Sequence, residues 1–324
     1  MNNTKVTDGS VFRENTLPKL LQYMLPIAIV ILSIIFGVMN PKYFSFVNMT
    51  NVARQAAVLS IAAVGQTIVI ISGNIDLSVG SIIGLISIVG AMVISQYGFL
   101  LGFFVCMLLC LIIGIIHGVI ITRYKIPAFI VTLGALTFWR GLTFVISNGM
   151  PVGGLQENKN FLALGTGNFL TLPIPFFIAI IALILGYLFL TYSVTGRKIY
   201  AVGGSPEASL LSGINVNKTI IYAYVAATAM SGIAALVLTS RVSIGLPTLG
   251  EGYELQAIAA AIIGGASFKG GSGTMVGTLL GVVLISIIGN GLNLLRVSSF
   301  IQLMVNGAII VLAVGFDKIK SGNK

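Results

Sequence analysis

Charge is what this sequence lacks most. Only 8% of its 324 residues are Asp, Glu, Lys or Arg, against about 25% in soluble domains. So few charges cannot coat a water-facing surface, and 56% of the residues are hydrophobic. A water-soluble globule is excluded, and a lipid-facing surface follows. Histidine is almost missing. The single one, His117, stands in an apolar run with no acid near it in sequence, so it reads as a packed or interfacial helix residue and not as part of a catalytic set. Cysteine is limited to Cys106 and Cys110, one helical turn apart in an apolar run. They are packing residues and make neither a disulfide framework nor a metal set. No Gly-x-x-x-x-Gly-Lys-Ser/Thr run occurs, so the chain has no P-loop. The stretch "ASFKGGSG" (266–273) is glycine-rich but lacks that order, and an apolar run follows it.

What the chain has is apolar runs of spanning length. About 20 residues cross ~30 Å of hydrocarbon. Candidate spans lie at 20–39, 55–72, 79–96, 99–121, 128–147, 174–192, 219–239, 255–266, 274–290 and 298–316, which predicts an all-α polytopic membrane protein of about ten helices. The run at 255–266 is too short to cross alone, so a broken or tilted helix is expected over 255–273. Glycine, at 39 residues, is well above the usual ~7%, as where membrane helices pack closely or break. The net charge of +10 is not a nucleic-acid signal, because the basic residues sit in short loops between apolar runs. With the N-terminus in the cytoplasm, Lys5, Arg13, Lys19, Arg123, Lys125, Arg197, Lys198, Lys218, Lys269, Lys318, Lys320 and Lys324 fall inside. Lys42, Arg54, Arg140, Lys159, Arg241 and Arg296 fall outside, with Glu157, Glu251 and Glu254. That two-to-one excess obeys the positive-inside rule. It gives a cytoplasmic segment over 1–19, a single transmembrane domain over 20–316 and a cytoplasmic tail over 317–324. The first apolar run has spanning length and no small-residue cleavage site after it, unlike a signal peptide.

One apolar tract is interrupted by "GNIDLSVGS", Gly73–Ser81. Gly73 and Gly80 permit turn conformations, and Asn74 is polar. Asp76 and Ser78 are both good N-caps for a helix starting near Val79. Asp76 either holds this helix break together or lies on a solute pathway, since ionisable groups at membrane depth are functional candidates. The stretch "IISGNIDLSVGSIIG" (70–84) has a possible counterpart in "IIGGASFKGGSGTMVG" (262–277), which suggests a site between two internal repeats. A second pattern lies in the loop 193–218. Ser205 is a good N-cap, Pro206 suits the first helical position, Glu207 favours the first turn and Gly213 is a natural residue just past the end. A short helix is expected over 206–212, exposing Leu210 and Leu211 in a basic loop, where it docks either on its own protein or on a partner. Trp139 with Arg140 reads as an interface anchor or, in the sharper reading, as a ring facing the solute.

These stretches carry a resemblance. "GNIDLSVGS" resembles the "GG-x-DLSVGS" signature of the ribose-type sugar permeases of ATP-binding-cassette importers, with Asn74 in place of glycine. "GRKIYAVGGSPEASLLSGI" (196–214) is similar to that family's long cytoplasmic loop, and "AAAIIGGASFKGGSGTMVGTLLGVVLI" (259–285) to its late glycine-rich segment. The similarity covers the chain from about residue 45. It implies ten helices in the cytoplasmic membrane of a prokaryote, both termini inside, and a second permease subunit, identical or related. It also implies a separate, fused double ATPase that binds the ATP and magnesium, and an extracytoplasmic sugar-binding protein. Glu207, Ala208 and Gly213 match the family's ATPase-coupling element, with Ser209 where alanine is usual. A monosaccharide such as ribose, xylose or galactose would need hydroxyl partners. Gln66, Asn148, Asn290, Asn293 and Asn306 are such groups in or beside spans, or else they are glue between helices. A permease for branched-chain amino acids shares the architecture. An ion-coupled carrier would need more buried acids than Asp76.

Overall fold

The computed structural model describes residues 9–322, with side chains over 23–312. Lys5 and Lys324 lie outside the described residues, as do the side chains of Arg13, Lys19, Lys318 and Lys320. In chain order the helices are α1 (Gly9–Met39), α2 (Phe46–Ile71), α3 (Val79–Tyr97), α4 (Phe99–Tyr124), α5 (Ala128–Ser147), α6 (Lys159–Thr166), α7 (Ile174–Tyr192), α8 (Val194–Gly204), α9 (Pro206–Leu211), α10 (Val216–Val242), α11 (Tyr253–Ile263), α12 (Met275–Leu294) and α13 (Ser299–Gly322). Between α6 and α7, β1 (Asn168–Phe169) and β2 (Leu172–Pro173) pair as a two-residue antiparallel hairpin. Seven described helices are long and apolar enough to cross a membrane, and Tyr23–Met39, Tyr253–Ile263 and Ser299–Leu312 are shorter apolar helices. This is the all-α polytopic fold expected from the sequence. The short run near 255–266 is an eleven-residue helix.

The helix starts follow from local chemistry. Ser45 accepts from the Asn48 amide to open α2, Asn215 from Lys218 to open α10, and Thr274 from Gly277 to open α12. The interior is apolar, and so is much of the exposed surface. In α4, Leu100, Phe104, Leu108, Leu111 and Ile115 are exposed, while Cys106, Cys110, Ile113, His117 and Ile121 form a buried stripe at helical spacing. The cysteines are packing residues. A methyl group at Gly114 would meet Val225 Cα at 2.7 Å, so its absence lets α4 lie close against α10. Helices α2, α3 and α10 form the interior, with α4, α5 and α7 around them.

Two non-helical runs enter this interior. After α2, Gly73 turns with φ +79°, and residues 74–78 run without helix into α3. After α10, residues 243–252 run alongside α3 in the opposite direction. Gly245 packs beside Ser87 and Ala91, Leu246 donates to Ser87 Oγ at 3.2 Å, and Gly250 packs on Gly80 and Ile83. The two glycine breaks that the sequence paired begin alike: the amides of Ser72 and Gly264 close α2 and α11 on the carbonyls four and two residues back, and Gly73 (φ +79°) and Gly265 (φ +93°) follow with positive φ. The two breaks also touch, since the Gly271 amide donates to the Ile71 carbonyl at 2.8 Å.

Candidate functional site

The N-termini of α3 and α11 meet inside the bundle. A methyl group at Gly80 would strike both the Gly250 carbonyl and the Glu254 carboxylate, so the two chains touch there. Arg140 lies twelve residues into α5, about 18 Å along its axis at 1.5 Å per residue. That is near the middle of this 20-residue helix. Its Nη2 donates to the Gly80 carbonyl at 3.0 Å, and its Nη1 donates to the Leu249 carbonyl at 3.1 Å and to that of Pro247. One guanidinium thus ties α5, α3 and the 243–252 run through fixed forks that an ammonium cannot copy. Glu251 and Glu254 act on it electrostatically. Glu254 Oε1 accepts from the Gly252 amide, while Oε2 is buried without a partner. The sequence reading placed Arg140 and Glu254 on the outer side. The signal it passed over was an arginine in the middle of an apolar span.

Asp76 is fully buried on the 74–78 run. Its Oδ1 accepts from the Ser78 amide at 2.8 Å and from the Ser78 hydroxyl, and its Oδ2 has no partner. The expectation that Asp76 or Ser78 caps α3 is corrected. Ser78 is the residue before α3, but its αR backbone (φ −85°, ψ −7°) turns the hydroxyl away from the first helical amides, and it makes no cap bond. The carboxylate instead closes the turn that precedes the helix. The neighbouring Ile75 carbonyl accepts from Tyr224 Oη at 2.9 Å and Thr132 Oγ1 at 3.3 Å, which fastens the run to α10 and α5.

Trp139 is not an interface anchor. It is only 9% exposed, and its Nε1 donates to His117 Nε2 at 3.0 Å, joining α5 to α4. Accepting at Nε2 places the neutral ring's hydrogen on Nδ1, which is buried without a partner. The amides separate. Asn290 and Asn48 exchange two bonds of 2.9 Å between α12 and α2, and Asn293 accepts from Gln302 of α13. Asn148, exposed with φ 50°, terminates α5. Asn306 is half-buried on α13. Gln66 is different: it is fully buried, and neither end of its amide has a partner. It stands one turn before Ile70, which shares an apolar cluster with Ile258 of α11 and with Ile75 and Leu77 of the 74–78 run. Gln66, Asp76 and Glu254 each carry a buried polar atom without a hydrogen-bond partner. Among the described residues no group of three His, Cys, Asp or Glu could hold a metal ion.

At the end of the bundle that carries 193–215, α9 forms as its ends dictate. Ser205 Oγ accepts from the Ala208 amide at 3.2 Å, and Pro206 opens the helix. Gly213 (φ +77°) closes it, with its amide on the Leu210 carbonyl and the Ile214 amide on Ser209. Ser209 faces inward. Leu210 and Leu211 are 67% and 90% exposed.

Residues 48–314 match the family described as branched-chain amino acid transport system / permease component. The chain belongs to this family. It is 45% identical to the ribose import permease protein of Bacillus subtilis (strain 168), over 90% of this chain and 91% of that one. It is 41% identical to the ribose import permease protein of Haemophilus influenzae, over 90% and 91%. It is 36% identical to the L-arabinose transport system permease protein of Escherichia coli K12, over 94% and 92%. No solved structure matches the chain.

Proposed function

We propose that this chain is the membrane-spanning permease subunit of an ATP-driven importer for a monosaccharide of the ribose type. It lies in a prokaryotic plasma membrane with both termini and the 193–215 loop in the cytoplasm. It works with a second permease subunit, with a fused double ATPase that binds ATP and magnesium, and with an external sugar-binding protein. The observation that carries this reading is α9, capped at both ends with Leu210 and Leu211 exposed, in a stretch of chain that also carries Arg197, Lys198 and Lys218. Its form suits a groove of the ATPase. The names of the relatives, for ribose and arabinose, support a sugar over the amino acids in the family's description. The pathway we assign passes the meeting point of α3 and α11, and we assign the unpartnered amide of Gln66 and the unpartnered oxygen of Asp76 to the sugar hydroxyls. Reconstitution tests this. The complex in proteoliposomes should take up labelled ribose on addition of ATP, and the chain alone should move none against a gradient. Concentrative uptake by the chain alone under an ion gradient, or ATP-driven uptake of leucine in place of ribose, would overturn it.

A further inference from the structure

Three backbones meet without side chains between them at the end of the bundle that carries α9. The first is the end of α2, Ile71–Gly73, where the 74–78 run begins. The second is the last turn of α8. The third is the loop 269–273, which joins α11 to α12. A methyl group at Gly203 would strike the Ile71 carbonyl and meet the Gly271 amide at 2.6 Å. At Gly270 (φ +86°) it would meet the Gly203 carbonyl and Gly73 Cα, each at 2.7 Å. The Gly271 amide donates to the Ile71 carbonyl at 2.8 Å, and Tyr200 Oη of α8 donates to the Gly273 carbonyl at 2.7 Å. Burial pushes the Tyr200 phenol above its ordinary range, so it stays a donor. On its far side, α8 passes into α9 through Ser205 alone, whose amide closes on Ala201 and whose hydroxyl caps α9.

A contact of backbone on backbone cannot absorb displacement by rotamer changes as a contact between long side chains can. Close-packed interiors transmit strain. Shifting α9 therefore shifts Gly203, and Gly203 bears directly on the residue that starts the run carrying Asp76. The loop 269–273 passes the same shift toward α11, whose opposite end abuts Gly80. We propose that this glycine junction is the transmission between α9 and the membrane-depth site, with Gly203 as its positioning residue. The inference rests on the importer reading above.

The test measures sugar moved per ATP hydrolysed by the complete complex in proteoliposomes, with ribose as the probe. The neighbouring glycines make an internal comparison. Gly204→Ala places its methyl in open space and should leave the ratio unchanged. Gly203→Ala should retain the ATPase and its hydrolysis while the ratio collapses. Should Gly203→Ala fail to fold, Tyr200→Phe carries the test. It removes one hydrogen bond from the junction and should lower the ratio by about fivefold, the equilibrium equivalent of about 1 kcal/mol. A merely structural role would lower yield and leave the ratio of the folded fraction intact. A normal ratio in folded Gly203→Ala, or in Tyr200→Phe where Gly203→Ala does not fold, overturns the junction. Failure of the unsubstituted complex to couple ATP to uptake overturns the importer reading instead.

Discussion

Asp76 shows how one carboxylate divides its work. One oxygen closes the turn onto Ser78, and the other is bare in the interior. Asp76→Asn keeps an acceptor for the Ser78 amide, so folded yield should hold, and the uptake of the reconstituted complex then reports whether charge at that point matters. Asp76→Leu leaves the Ser78 amide buried and unpaired, which costs about 1–3 kcal/mol, so thermal unfolding in detergent should begin at a lower temperature. Equal unfolding of the two variants would remove the turn-closing role. Trp139→Phe is a second probe. It deletes the donor to His117 Nε2 and should destabilise by a similar ~1–3 kcal/mol. A phenyl ring that unfolds with the unsubstituted protein would show that the pair contributes nothing net.

At the scale of elements, α9 is decided by its ends. Gly213 sits at φ +77° with open space around its missing side chain, so Gly213→Val acts through backbone strain alone, about 1–2 kcal/mol or more for a left-handed residue. Leu210→Asp puts a charge into the proposed contact without touching a span. Both variants should insert and fold, and both should fail to co-purify with the ATPase or lose its stimulation by loaded binding protein. Normal co-purification and stimulation in both would reduce α9 to a structured connector. This helix was legible in the sequence because capping is local. Ser205, Pro206 and Gly213 each act within four residues, and the structure adds only that α9 ends one residue earlier than expected, at Leu211. The break at 73–78 was legible for the same reason.

Across the whole molecule, Arg140 is the tie that closes the interior. It reaches carbonyls of Gly80, Pro247 and Leu249, which belong to segments more than 100 residues apart in sequence. Arg140→Met leaves these carbonyls without their donor while preserving much of the stem's packing. Hydrogen exchange over 243–252 should rise above that of the neighbouring α10 and α11. Protection unchanged throughout 243–252 would mean that the run is held by α3 packing alone and that the guanidinium is not its clamp.

The sequence by itself determined the spans, the short α9 and its exposed leucines, the break before α3 and the family. Each is written in residues close together along the chain, as runs of apolar length, caps and turn glycines. Only the tertiary structure decided that Trp139 is an interior residue bonded to His117, that Asn290 bonds Asn48 and Asn293 bonds Gln302 while the buried Gln66 amide bonds nothing, and that 243–252 lies against α3. It alone placed Gly203 on Ile71. The physical reason is that in a lipid-facing bundle both surfaces of a helix are apolar, so hydrophobic pattern no longer tells inside from outside. Buried stripes such as Cys106, Cys110 and His117 are marked by size and polarity, and which segment fills the space beside them is fixed only when distant parts of the chain come into contact.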